Sequence, residues 1–65
     1  MDTITKVSVE LVGTDGNAFC IMGKVQQAMR RAGVDKKIID KYLTEARSGD
    51  YDHLLQVTMK YVDVE

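Results

Sequence analysis

Sixty-five residues with one cysteine, one histidine and a net charge of −1 are read as a single domain, residues 1–65. They exclude an internal disulfide, a four-ligand zinc site and a general nucleic-acid binder. A chain this short buries only about 60% of the surface it exposes when unfolded. That is too little for a self-sufficient catalytic pocket, so a non-enzymatic protein reinforced by self-association is expected.

The longest unbroken apolar run, residues 18–22, is far below the roughly 20 residues of a membrane span. Residues 1–6 lack the basic start and apolar stretch of a secretion signal. A lone thiol suits a reducing compartment, and a cytoplasmic location is the expectation. Charge is unevenly placed, with balances of −2 over residues 1–16, +4 over 17–49 and −3 over 50–65. Such a chain can fold its acidic ends against its basic middle or pair with copies of itself.

Residues 6–12 alternate polar and apolar, with Val7, Val9 and Leu11 on one face, the pattern of a half-buried strand. The turn Gly13-Thr14-Asp15-Gly16 follows, and Asn17 is a helix N-cap. Ala18, Ile21, Met22, Val25, Ala28, Met29 and Ala32 then recur at helical spacing. Gly33 supplies the left-handed stop, with Val34 folding back on Met29. Asp35 caps a second helix whose stripe is Ile38, Ile39, Tyr42, Leu43 and Ala46. The pairs Lys36/Asp40 and Lys41/Glu45 add weak support on its outer face, and Gly49 is expected to end it as Gly33 ends the first.

Asp50 caps a third helix through about residue 61, with Tyr51, Leu54, Leu55, Thr58, Met59 and Val62 lining one side. Residues 61–64 are expected to form a short strand against the first, or else a second subunit supplies its partner. The fold class is α+β, a small β-α-α-α(-β) domain with a helical core packed on one or two short strands.

Three clusters bear chemistry. The glycine-flanked turn aims backbone N–H groups of Gly13, Thr14, Gly16 and Asn17 at a helix start, where anions bind, although Asp15 opposes this and neither glycine-rich phosphate motif is matched. A tight turn with an N-cap explains the same residues structurally. Arg30, Arg31 and Arg47 close helices, where the dipole favours cations, and can also fork onto phosphate. Arg30 shares a helical face with Gln26, Gly23 and Phe19. Gly23, which costs about 1 kcal/mol against Ala, is expected to admit a close neighbour: the third helix first, otherwise a second subunit or a flat ligand on Phe19.

Residues 49–53 hold Asp50, Asp52 and His53, too few ligands to close a metal shell; a helix stop and cap explain them. His53 can act as a pH-sensitive hydrogen-bonding group. Cys20 and His53 lack a third residue to make a nucleophile–base pair, and Cys20 reads as a half-buried filler.

Through Gly13-Thr14-Asp15-Gly16-Asn17-Ala18-Phe19, Arg30-Arg31-Ala32-Gly33-Val34 and Gly49-Asp50-Tyr51-Asp52-His53-Leu54-Leu55, the whole chain resembles a set of short hypothetical proteins of bacterial and phage-related genomes. The resemblance carries no assigned activity; its phage-linked context implies a stoichiometric binder, an inhibitor or a sponge for a nucleotide signal. The leading expectation is therefore a homo-oligomeric module without cofactor or metal. It would hold an anionic, nucleotide-like ligand near subunit junctions, with Arg30, Arg31 and Arg47 on phosphate, Tyr51 or Phe19 on a ring, and the Gly13–Asn17 turn as N–H donor. A protein–protein adaptor docking through Phe19 and Gly23 is the alternative, and a small Cys20/His53 enzyme the third.

Overall fold

The computed structural model describes residues 3–11 and 16–65, so Gly13, Thr14 and Asp15 of the expected anion-binding turn lie outside the described residues. The elements follow in the order β1 (Val7–Val9), α1 (Ala18–Arg31), α2 (Lys36–Ala46), α3 (Tyr51–Tyr61) and β2 (Val62–Val64). This is the expected α+β arrangement.

β1 and β2 pair in parallel, Val7 beside Val62, Ser8 beside Asp63 and Val9 beside Val64. Parallel strands need a long crossover, which the three helices provide. The tail therefore completes the first strand within the same chain. Pairing continues past the strand ends, where Glu65 N donates to Val9 O at 2.8 Å and Leu11 N to Glu65 O at 3.2 Å. Val7, Val9 and Leu11 turn towards the core while Lys6, Ser8 and Glu10 are exposed, as their alternation requires. The strand is shorter than expected at its start because Lys6 is left-handed, with φ 58°, an unusual conformation for a side chain with a Cβ. Its N–H is held by Thr3 Oγ1 at 3.0 Å.

Each helix begins on its expected cap. Asn17, Asp35 and Asp50 accept from the N–H groups of Phe19, Lys37 and His53, satisfying donors that an uncapped first turn leaves orphaned. Gly33 closes α1 at φ 80°, and Val34 N reaches back to Met29 O at 3.0 Å, the wrap that a left-handed residue permits. Ala32, placed on the apolar stripe by spacing, is the exposed C-cap instead.

Two expectations are corrected. Gly49 is not a left-handed stop: α2 ends on Arg47 in right-handed geometry, with Arg47 N bonded to Leu43 O and Ser48 N to Glu45 O. Leu54, Thr58 and Val62 of the face expected for α3 are buried, but the face is turned in part towards Val57 and Tyr61. Its buried residues are Leu54, Val57, Thr58 and Tyr61, while Tyr51 and Met59 are exposed. Positions 54, 57, 58 and 61 also follow helical spacing, and this phase lets two polar tips find partners inside the protein.

Those partners tie α3 to α2. The Tyr42 and Thr58 hydroxyls lie 2.8 Å apart, and the Tyr42 ring meets Tyr61 edge-on at 5.4 Å. Tyr61 Oη donates to Glu45 Oε1 at 3.0 Å, and Lys60 Nζ to Glu45 Oε2 at 3.0 Å. Glu45 thus serves α3 rather than Lys41, and the ion pair joins a middle-segment acid to a tail base, the reverse of the block-charge scheme. Lys60 first, then Tyr61, holds the Glu45 carboxyl below its ordinary value. Its contribution is accordingly present at neutral pH and lost as pH falls through the lowered value.

Burial, and then the bond to Glu45, pushes Tyr61 up to about 12. A phenol raised in the folded state stabilises the fold fully below its unfolded value near ~10 and loses that contribution as pH rises towards the folded one. Wild-type protein is expected to lose stability between about pH 10 and 12, and Tyr61→Phe to lose less over that window. Denaturant melts at stepped alkaline pH check this.

Candidate functional site

The α2–α3 turn folds over the first turn of α1. Between them lies an open groove of about 360 Å³ lined by Ala18, Phe19, Met22, Ala46, Arg47, Gly49, Asp50, Tyr51 and Leu54. A second recess of about 200 Å³ continues it along α1 past Met22 to Gly23 and Gln26, bordered by Leu43 and Arg47. Met22, Ala46 and Leu54 are buried core residues whose edges form an apolar floor. Phe19, 76% exposed, and Tyr51, 45% exposed, stand at the sides. Single exposed apolar side chains are ordinary; what is informative here is that these two rings border one apolar groove.

Local structure explains each position. Phe19 is the second residue of α1, with its N–H on the Asn17 cap at 2.8 Å, and so projects from the helix start instead of its buried stripe. Arg47 is the α2 C-cap; its Nε donates to Leu43 O at 3.2 Å, which uses one of five guanidinium N–H donors. Tyr51 opens α3. The Gly16 Cα lies beside it, because a Cβ there would stand 3.5 Å from the Tyr51 hydroxyl. The starts of α1 and α3 and the end of α2 therefore meet at the groove, two positive dipole ends against one negative. Asp50, the α3 cap, is the acid in the lining and offsets Arg47. The groove is charge-balanced, with an apolar floor and a cation on one rim.

Gly16, Asn17, Phe19, Arg47 and Tyr51 of the expected site thus gather at or beside one groove. Arg30 and Arg31 do not. They end α1, and Arg30 is about 16 Å along the axis from Phe19 at 1.5 Å per residue. His53 does not line the groove either: its Nε2 lies 3.0 Å from Glu45 O and 3.2 Å from Ser48 Oγ, so it braces the α2–α3 turn. A carbonyl only accepts, so Nε2 carries a proton towards Glu45.

Gly49 is the residue that admits the imidazole, since a Cβ there would lie 2.7–2.9 Å from His53 Cγ, Cδ2 and Cβ. Asp52 accepts from Gln56 at 3.2 Å; among the described residues no group of three or more metal-ligating side chains forms. Cys20 is exposed, not half-buried, and no hydrogen bond joins it to His53. Periodicity had assigned Met22, Ala46 and Leu54 to the core; nothing local signalled that the α2–α3 turn would fold over α1 and make their edges a floor.

Gly23 has no neighbour within 4 Å of a built Cβ, so the third helix does not pack there. In a helix interior with open space beside it, Gly23→Ala is expected to raise stability by about 0.5–1 kcal/mol, read as a higher midpoint in thermal unfolding.

No helix of the described residues is long and apolar enough to cross a membrane. The chain matches no protein-family model, no curated protein and no solved structure.

Proposed function

We propose that this chain is a non-enzymatic binding module whose groove takes a small molecule carrying a flat ring and an anionic group, of mononucleotide-like chemistry. The observation that supports it best is the meeting of Phe19, Arg47 and Tyr51, far apart in sequence, around an apolar floor in a groove of about 360 Å³. That volume lies at the lower end of the ~300–1,000 Å³ typical of small-molecule clefts. Phe19 and Tyr51 flank the ring, Met22 and Leu54 meet its edge, and Arg47 takes the anion with its remaining donors. Because Asp50 balances Arg47, ring burial supplies most of the affinity and the anion supplies selectivity. Arg30 and Arg31 take no part. Such a protein acts stoichiometrically, holding its ligand without converting it.

Thermal-shift titration with AMP, GMP, adenosine and inorganic phosphate tests the reading. A nucleotide that fills the site at 100 times its Kd adds about 2.7 kcal/mol. Phe19→Ala is expected to abolish the shift while leaving the free protein's melt nearly unchanged. Arg47→Ala is expected to lower AMP affinity roughly tenfold, towards that of adenosine, as loss of one charge-assisted contact implies. Binding that survives both substitutions contradicts the proposal.

A second reading, docking of a partner protein along α1, is favoured by the recess that extends the groove to Gly23 and Gln26. It predicts that Gly23→Ala weakens partner binding, whereas nucleotide binding is unaffected.

A further inference from the structure

The sheet has two strands, so among the described residues β1 and β2 each keep one edge without a strand neighbour. Such an edge is a template for another strand. In a parallel ladder alternate residues direct their main-chain groups at the neighbour. Val9 O and Leu11 N both bond to Glu65, so Val9 and Leu11 face β2 and the backbone groups of Ser8 and Glu10 point to the open side.

We infer that β1 is a self-association edge, pairing antiparallel with β1 of a second copy of this chain about a two-fold axis at Ser8. The segment Lys6-Val7-Ser8-Val9-Glu10 is self-complementary in that arrangement alone. Ser8 falls opposite Ser8, Val7 opposite Val9, and Lys6 opposite Glu10 of the second copy, twice by symmetry. Lys6, Ser8 and Glu10 are all exposed, so the charged side chains are placed to meet without crossing the core. Parallel pairing of two copies in register would set Lys6 against Lys6 and Glu10 against Glu10, which cross-strand energetics disfavour. The β2 edge is disfavoured: Glu65, and by alternation Asp63, direct their main-chain groups at β1, so antiparallel pairing would centre on Val64 and set Asp63 against Glu65 of the second copy, acid against acid.

Lys6 lies just before the strand with a left-handed backbone and its N–H already held by Thr3 Oγ1, so it flanks the ladder and contributes only its side-chain charge. The main-chain ladder is centred on Ser8, and the charges at either end fix its direction. An edge this short buries less than the roughly 1,600 Å² of a standard interface, so monomer and dimer exchange with concentration. The inference stands apart from the groove and its ligand.

Sedimentation equilibrium at low salt over a concentration series tests it, with circular dichroism verifying that each variant is folded. Wild-type protein is expected to dimerise with concentration. Lys6→Glu and Glu10→Lys, which replace both attractive pairs by like-charge pairs, are each expected to weaken dimerisation roughly tenfold or more. The double variant K6E/E10K is expected to return it to near the wild-type value. Ser8→Pro removes an N–H directed away from β2 and is expected to yield monomer. A wild-type protein that stays monomeric at the highest concentration overturns the inference, as does a dimer indifferent to the single charge reversals or not restored by the double one.

Discussion

Thr58→Val is expected to destabilise the protein by about 1–3 kcal/mol, although the two side chains have nearly the same shape. Tyr42 and Thr58 are both fully buried, and their hydroxyls lie 2.8 Å apart. Among the described residues no buried side-chain nitrogen or oxygen lacks a partner. Valine leaves no cavity; it strands the Tyr42 hydroxyl in the core, and the cost is that of desolvating an unpaired polar group. Tyr42→Phe is expected to cost less, because a helical threonine can turn its hydroxyl to the carbonyl four residues back. The double variant should cost less than the sum of the two, since it removes both partners. In a domain whose core supplies roughly 3–5 kcal/mol, the Thr58→Val loss is a large share, and equilibrium urea unfolding of the three variants measures it.

Gly49→Ala is expected to cost about 1–3 kcal/mol as an overpacking change. The obstacle is the root of the His53 side chain, with His53 Cβ 2.9 Å from the new methyl, so the imidazole cannot simply swing its far end aside. Displacing it also strains the Nε2 bond to Glu45 O that closes the α2–α3 turn. Gly49 lines the groove as well, so the variant should distort ligand binding. Adding His53→Ala removes the clash, and the double variant is expected to be more stable than additivity of the single effects predicts. Thermal unfolding of the four proteins completes the cycle.

Much of the fold is legible along the chain because it is encoded locally. Three caps, the glycine stop at residue 33 and the alternation of Val7, Val9 and Leu11 each report their own few residues. The closing strand follows from the need of a lone strand for a partner. The phase of α3 is a different matter. Residues 51–62 contain apolar positions compatible with more than one face, and the choice rests on Tyr61 reaching Glu45 and Thr58 reaching Tyr42, contacts between residues 16 apart.

Gly33 and Gly49 look alike as punctuation after a helix. One supplies a left-handed conformation and the other supplies space for a ring, a distinction visible only once His53 is placed. The residue types that border the groove, aromatics and arginines near helix ends, were legible in the sequence; their grouping was not. Arg30 and Arg47 look equivalent in sequence. α1 carries the first away from Phe19, and the turn into α3 brings the second to it.

Nitrogen-15 correlation NMR of the labelled chain titrated with AMP tests the groove most directly. Saturable shifts centred on Phe19, Arg47, Tyr51 and Leu54, absent at Arg30 and Arg31 and lost in Phe19→Ala, are the predicted result. Shifts centred on the α1 C-terminus, or no saturable change with AMP or GMP, would contradict it.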